Sequence, residues 1–338
     1  MASEQLWLSP AVHPVYVRLV YAELLRQGLS AEQIQAGSSF DWHALHDNHF
    51  LSLGSLHNLL LRALALSARP WLGFAVGLHT DVSAHGPAGY AAVCASNIGA
   101  AIDITERYAS LRQHLAHFRL EPGEAPILTL QELRVPTAVR EYLLGHFTTG
   151  MLRLLETLGG QPLNEQIRID WPLPEPSWSE QLQDYAREWR FNAPGLRIHL
   201  PAGLLQQPCL GADPQACRQA LRDCANQLEQ QQRGGSLTER IKQRLLQCEE
   251  GYPTLAGIAA LEHVTPRTLL RHLRSEGSRY QQILDSLRGE QAAWLLSHTE
   301  LSIERVAERL GYQDTSNFSR TFRRWHGCTP RAYRRQSR

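Results

Sequence analysis

Two short sets of side chains in this sequence have the types and spacing to hydrogen-bond a nucleic acid. The first is Arg267, Thr268 and Arg271 in "TPRTLLRHLR"; the second is Ser316, Asn317 and Arg320 in "DTSNFSRTFRRWHG". On a helix, Arg267 and Arg271 share a face, and Ser316 or Asn317 shares one with Arg320. Arginine can donate two hydrogen bonds to guanine O6 and N7, and asparagine can pair with adenine. Each good pair discriminates against the wrong base by about 1–3 kcal/mol. The bland alternative is a solvated surface or exposed ion pairs, worth well under about 1 kcal/mol each.

The elements that must carry these residues are legible around them. Leu255, Ile258, Ala259 and Leu261 predict one short helix, and Leu269 with Leu273 a second. Thr265 followed by Pro266 marks the start of the second, because the hydroxyl can accept an orphan N–H and proline has none to lose. The arrangement recurs: Val306 and Ala307 stand 48 positions after Ile258 and Ala259, and Phe318, Arg320 and Phe322 stand 49 after Leu269, Arg271 and Leu273. Asp314 takes the capping place of Thr265. Between the two pairs, a longer helix with Ile283, Leu284, Leu287, Trp294 and Leu295 can tie them together. Phe318, Phe322, Trp325 and Tyr333 read as packing residues rather than platforms for bases. Arg323, Arg324, Arg331, Arg334 and Arg335 read as solvated charge or phosphate contacts.

Charge supports a polyanionic partner for this end of the chain. The formal net charge is +1, but residues 234–338 carry 17 Lys+Arg against 11 Asp+Glu, a balance of +6, and residues 1–233 carry 17 against 22, a balance of −5. Near-neutrality is therefore a cancellation between an acidic part and a basic one. Gly234 and Gly235 mark the join, with Ser236 as the N-cap of a new helix. Length, 43% apolar and 20% charged residues indicate a globular chain of two domains. No secretory signal or membrane span is expected, which points to the cytoplasm. Six cysteines without a CxxC pair suggest reduced thiols, and no metal or other cofactor is expected.

The stretches "TPRTLLRHLRSEG" and "LSIERVAERLGYQDTSNFSRTFRRWHGCTPRAYRR" resemble the DNA-binding domain of the AraC/XylS family of bacterial transcription regulators. The resemblance implies an all-α C-terminal domain in which two helix-turn-helix units, about 253–277 and 302–327, are joined by a linking helix and read successive major grooves. It also implies that Arg267, Thr268, Arg271, Ser316, Asn317 and Arg320 face the DNA. Two positions depart from the family pattern: His263 stands where glycine is usual in the first turn, and Leu270 where a polar residue is common. Histidine tolerates positive φ better than most residues, so the turn is expected to form.

Residues 1–207 predict an α+β domain with a small antiparallel sheet. Helical patterns lie near Val12–Arg26, Leu53–Ser67, Ser96–Gln113 and Pro136–Leu158; strand patterns are "HFRLEPGEAPILTLQE", "QIRIDW" and "GLRIHLP". The segment from Gly77 to Leu111 resembles the arabinose-binding-like domain of one AraC branch. That likeness implies a small-molecule effector and self-association as a homodimer, and the family likeness as a whole implies activation through RNA polymerase. Residues 208–235 form an inter-domain helix and linker, and 236–338 the DNA-binding domain. The helix stripe Cys217, Leu221, Cys224 and Leu228 could pack on its own domain or mediate dimerisation. His43, His46 and His49 invite a metal reading that a three-residue step does not favour, and His79 and His85, beside glycines in a loop, read as exposed loop residues in preference to ligand contacts. The expected function is an effector-responsive, sequence-specific regulator and not an enzyme, since no GxSxG, P-loop, GxGxxG or HExxH pattern occurs. The rivals are an enzyme tethered to a DNA-binding module and an architectural DNA binder.

Overall fold

The computed structural model describes residues 4–36, 50–132, 135–232, 236–246 and 252–336. In chain order its helices are α1 (Glu4–Leu8), α2 (Pro14–Arg26), α3 (Ala31–Gln35), α4 (Leu53–Leu66), α5 (Leu72–Leu78), α6 (Pro87–Val93), α7 (Ile98–Arg107) and α8 (Thr137–Gly159). The second half adds α9 (Pro214–Gln232), α10 (Leu237–Leu246), α11 (Leu255–Leu261), α12 (Pro266–Ser275), α13 (Tyr280–His298), α14 (Ile303–Arg309), α15 (Thr315–His326) and α16 (Pro330–Gln336). The strands are β1 (Pro10–Val12), β2 (Leu51–Ser52), β3 (Ala116–Glu121), β4 (Ile127–Glu132), β5 (Arg168–Asp170), β6 (Glu188–Arg190) and β7 (Arg197–His199). Two compact units form. One comprises Met1–Pro10, Ser30–Leu59 and Gln230–Arg338, the other Ala11–Leu29 and Leu60–Glu229. They do not follow a single cut along the chain.

The larger unit is α+β. Its five-stranded sheet runs β3-β4-β7-β5-β6. The expected hairpin around Pro122 and Gly123 is present, with Phe118 opposite Leu130 and Leu120 opposite Leu128. The sheet is antiparallel except for β5 and β6, which pair in parallel. Strand β6 has only three residues and no alternating apolar signal, so local patterning could not reveal it. Leu128, Ile198 and Ile169 occupy one row across the sheet and join Phe74, Ile98, Leu144 and Leu155 in the core.

Helices α5 and α8 approach each other closely because their contact face is made of small residues. A Cβ at Gly73 would come within 2.2 Å of the Tyr142 carbonyl oxygen, and one at Gly77 within 2.1 Å of Thr149 Oγ1. That hydroxyl donates to the Phe74 carbonyl at 2.8 Å. The stripe on α9 packs within this unit: Cys224 is buried with Ala88, Tyr108 and Leu111, and Leu221 and Leu228 lie against them. Its own-domain reading therefore accounts for the stripe.

In the smaller unit, α13 is shared by two apolar clusters. Its first half gives Tyr280, Ile283, Leu284 and Leu287 to a core with Ile258, Ala259, Leu269 and Leu273. Its second half gives Ala292, Leu295 and Leu296 to a core with Val306, Ala307, Phe318 and Phe322. Ser236 caps α10 as expected, in a reciprocal capping box with Glu239 at 3.2 Å in both directions. The N-terminal segment joins this unit: Glu4 accepts from Arg309 at 3.0 Å, Trp7 meets the His298 ring edge-on at 5.3 Å, and Ser55 donates to Glu290 at 2.8 Å. Nothing local in those early residues signals such partners more than two hundred positions away.

Candidate nucleic-acid interface

The two helix pairs α11–α12 and α14–α15 have the same local construction. Each first helix ends in a Schellman motif, in which two backbone N–H groups beyond the helix satisfy its last carbonyls. In the first, Val264 N–H donates to Ala259 at 3.0 Å and His263 N–H to Ala260 at 3.1 Å. In the second, Tyr312 N–H donates to Ala307 at 2.9 Å and Gly311 N–H to Glu308 at 2.9 Å. The motif needs a left-handed residue, supplied by His263 at φ 55° and Gly311 at φ 80°. The expectation that histidine would let the turn form is met.

Each second helix is then capped from its first turn. Thr265 Oγ1 accepts from Thr268 N–H at 3.2 Å with Pro266 at the start of the helix, and Asp314 accepts from Ser316 N–H at 2.9 Å and Asn317 N–H at 3.1 Å. Those backbone donors, with Arg320 nearby, hold the Asp314 carboxyl below its ordinary range. Leu269 and Leu273 are fully buried, as are Phe318 and Phe322. Because these pairs face inward, the opposite face of each helix is turned to solvent.

Arg267, Arg271, Ser316, Asn317 and Arg320 are all exposed there. Thr268 is half-buried, its hydroxyl 3.0 Å from that of Thr265. Among the described residues, Arg267, Arg271 and Arg320 make no ion pair. Their guanidinium donors are accordingly available to another molecule. Leu270 is half-buried and lines a groove of about 750 Å³ with Tyr252, Arg274, Arg279, Tyr280 and Arg288.

The later arginines divide by role. Arg324 lies 3.6 Å from Asp285, while Arg323, Arg331 and Arg335 are exposed. Arg334 is neither solvated charge nor a free phosphate contact: its guanidinium donates to the carbonyls of Leu296 at 3.3 Å and Leu301 at 2.5 Å. A further arginine had no local signal. Arg288 lies over the Tyr252 ring at 5.2 Å and over Tyr312 at 5.6 Å, so it bridges residues packed on the two separate cores. Trp325 and Tyr333 pack on the second core, as their sequence context suggests.

A helix-turn-helix domain matches residues 258–336, and the N-terminal arabinose-binding domain of AraC transcription regulators matches residues 28–209, more than half of the chain. The chain belongs to the AraC family of transcription regulators.

Its relatives include the ornithine utilization regulator of Pseudomonas aeruginosa, 28% identical over 94% of this chain and 96% of that one. The regulator VqsM of the same organism is 26% identical over 78% of this chain and 83% of its own length. A crystal structure of the transcriptional regulator CdpR, also from P. aeruginosa, is 24% identical with a TM-score of 0.47, covering 95% of this chain and 98% of that one. As a member of this family the protein is a DNA-binding regulator with an effector-binding domain, and the family implies DNA and a small molecule as its partners. No helix among the described residues is long and apolar enough to cross a membrane.

The histidines read from sequence fall differently. His43, His46 and His49 lie outside the described residues. His79 is exposed, 3.9 Å from Glu23. His85 is not an exposed loop residue: it ends the short turn Val82–His85 half-buried, with its Nδ1 3.0 Å from the Tyr16 hydroxyl.

Proposed function

We propose that the two helix pairs are two helix-turn-helix units that insert α12 and α15 into successive major grooves, with Arg267, Thr268 and Arg271 serving the first and Ser316, Asn317 and Arg320 the second. The observation that carries this reading is the repetition of turn, cap and buried pair on one shared helix, each time leaving an unpaired arginine between two core residues on the outer face. Thr268 contributes less than the arginines, since its hydroxyl is engaged with Thr265. Direct readout by two helices makes the protein sequence-specific rather than architectural.

The protein responds to a small-molecule effector in the cytoplasm, binds paired sites as a homodimer and activates transcription through RNA polymerase; family likeness supports these assignments. No motif of an enzyme accompanies them.

The test is fluorescence anisotropy on a footprinted site at fixed salt. Arg271→Ala and Arg320→Ala are each expected to weaken binding roughly 5- to 150-fold, the loss of about 1–3 kcal/mol for one base contact, with an unchanged melting temperature. Wild-type affinity should fall steeply as salt rises. Full affinity in both variants would refute the reading.

A further inference from the structure

The larger unit gathers polar side chains that its packing does not explain. Tyr16 on α2, Thr80 after α5, His85, Arg112, and Tyr142 and His146 on α8 converge on one place. The Tyr16 hydroxyl is 3.0 Å from His85 Nδ1, and the Tyr16 and His146 rings meet edge to face at 5.5 Å. His146 Nε2 is 3.1 Å from Thr80 Oγ1, and its Nδ1 is 3.4 Å from the Tyr142 hydroxyl. Tyr16, His85 and His146 lie deep among protein atoms, yet each keeps accessible surface. Each is therefore half-buried and borders space that a small molecule can reach.

Arg112 is the charged group at that space. Its guanidinium lies against Gly86, where a Cβ would come within 1.9 Å of Nη2; glycine also suits the φ of +60° there. Arg112 Nε is buried without a hydrogen-bond partner, and among the described residues no carboxylate lies within ion-pair distance of the guanidinium. Arg18 adds like charge. Burial pushes His13 down to about 3 and His85 and His146 to about 4, so near neutral pH they carry no charge. The acid that acts on His85 is Asp81, which is exposed and accepts from Ser83 N–H. A partly desolvated cation without a counter-ion is unfavourable unless another molecule supplies the anion.

We infer that this space is the effector site and that its ligand is a small organic carboxylate, with the anionic end paired to Arg112 and the remaining polar groups met by Tyr16 and His85. One guanidinium fork matches one carboxylate in planar, bidentate geometry. The inference rests on reading this domain as effector-binding.

Thermal melting of the full chain in sodium acetate, against sodium chloride at equal concentration up to 100 mM, tests it. Acetate is expected to raise the wild-type melting temperature. Arg112→Met should lose that response while melting no lower than wild type in chloride, and Arg112→Lys, which keeps the charge without the fork, should keep a reduced response. Three results would overturn the site: no acetate response in wild type, an equal response in Arg112→Met, or an Arg112→Met protein that melts well below wild type or fails to fold. DNA binding is read separately by anisotropy. A wild-type protein that answers acetate but binds no DNA would sink the regulator reading and leave the site standing, and the converse would sink the site alone.

Discussion

Replacing His263 by glycine should stabilise the first helix pair. The two Schellman turns make the same hydrogen bonds, but one places histidine at φ 55° and the other glycine at φ 80°. A side chain in the left-handed region costs roughly 1–2 kcal/mol, and glycine returns about 0.5–1 kcal/mol of that through its greater freedom in the unfolded chain. The net expectation for His263→Gly is a gain of about 1 kcal/mol. The reciprocal change isolates the same quantity: at Gly311 the nearest atom to an added Cβ would be Arg288 Nη2 at 3.7 Å, an ordinary contact, so Gly311→Ala should lose about 1 kcal/mol from backbone strain alone. Hydrogen-exchange mass spectrometry on the full chain resolves peptides of α11–α12 from those of α14–α15. About 1 kcal/mol is roughly a fivefold change in the opening equilibrium, so protection should rise about fivefold around Val264 in one variant and fall about fivefold around Tyr312 in the other. Unchanged or reduced protection in His263→Gly would show that the His263 side chain, not the turn's backbone, holds the pair together.

Acid should destabilise the protein before its carboxylates titrate. Burial lowers His326 to about 4, with its Nε2 on the Gly289 carbonyl at 3.1 Å. A base whose folded pKa lies below its unfolded 6.5 binds protons preferentially when unfolded; stability is therefore full above about 6.5 and falls as pH drops toward 4. The shift is worth up to roughly 3 kcal/mol. Melting temperature should fall between about pH 7 and 5, with a shallower fall in His326→Gln; equal slopes would refute the assignment. Gly77→Ala should destabilise by about 1–3 kcal/mol through overpacking against Thr149 and the His146 carbonyl, read by urea unfolding; a neutral result would mean that α5 and α8 separate freely. Cys209 and Cys224, whose thiols burial pushes up to about 11, should stay unreactive toward Ellman's reagent at about pH 8 until the chain unfolds, because only about one thiol in a thousand would be ionised; rapid native-state labelling of either would contradict their burial.

Where a structural feature is encoded within one or two helical turns, the sequence shows it. Thr265 before Pro266, Asp314 before Ser316, and the i, i+4 pairs Leu269–Leu273 and Phe318–Phe322 are local signals, and each does locally what its chemistry requires. The long amphipathic helices and the β3–β4 hairpin are legible for the same reason. Strand β6 was hidden because Glu188–Arg190 lies outside any alternating apolar run, unlike β5 and β7, and is held by its neighbour.

The candidate base-reading residues therefore followed from sequence, since an inward-facing pair determines which residues face outward. The interior cluster did not. Tyr16, His85, Arg112 and His146 are spread over about 130 positions, and each alone has an ordinary local context; only the packing of α2, α8 and the Val82–His85 turn brings them together. The same holds for Arg288 between Tyr252 and Tyr312, Arg334 on the Leu296 and Leu301 carbonyls, and Glu4 against Arg309. Periodicity and capping chemistry determined the helices and their faces. Long-range packing alone decided which buried charges meet and which are left without a partner, because desolvation depends on neighbours that the local chain does not specify.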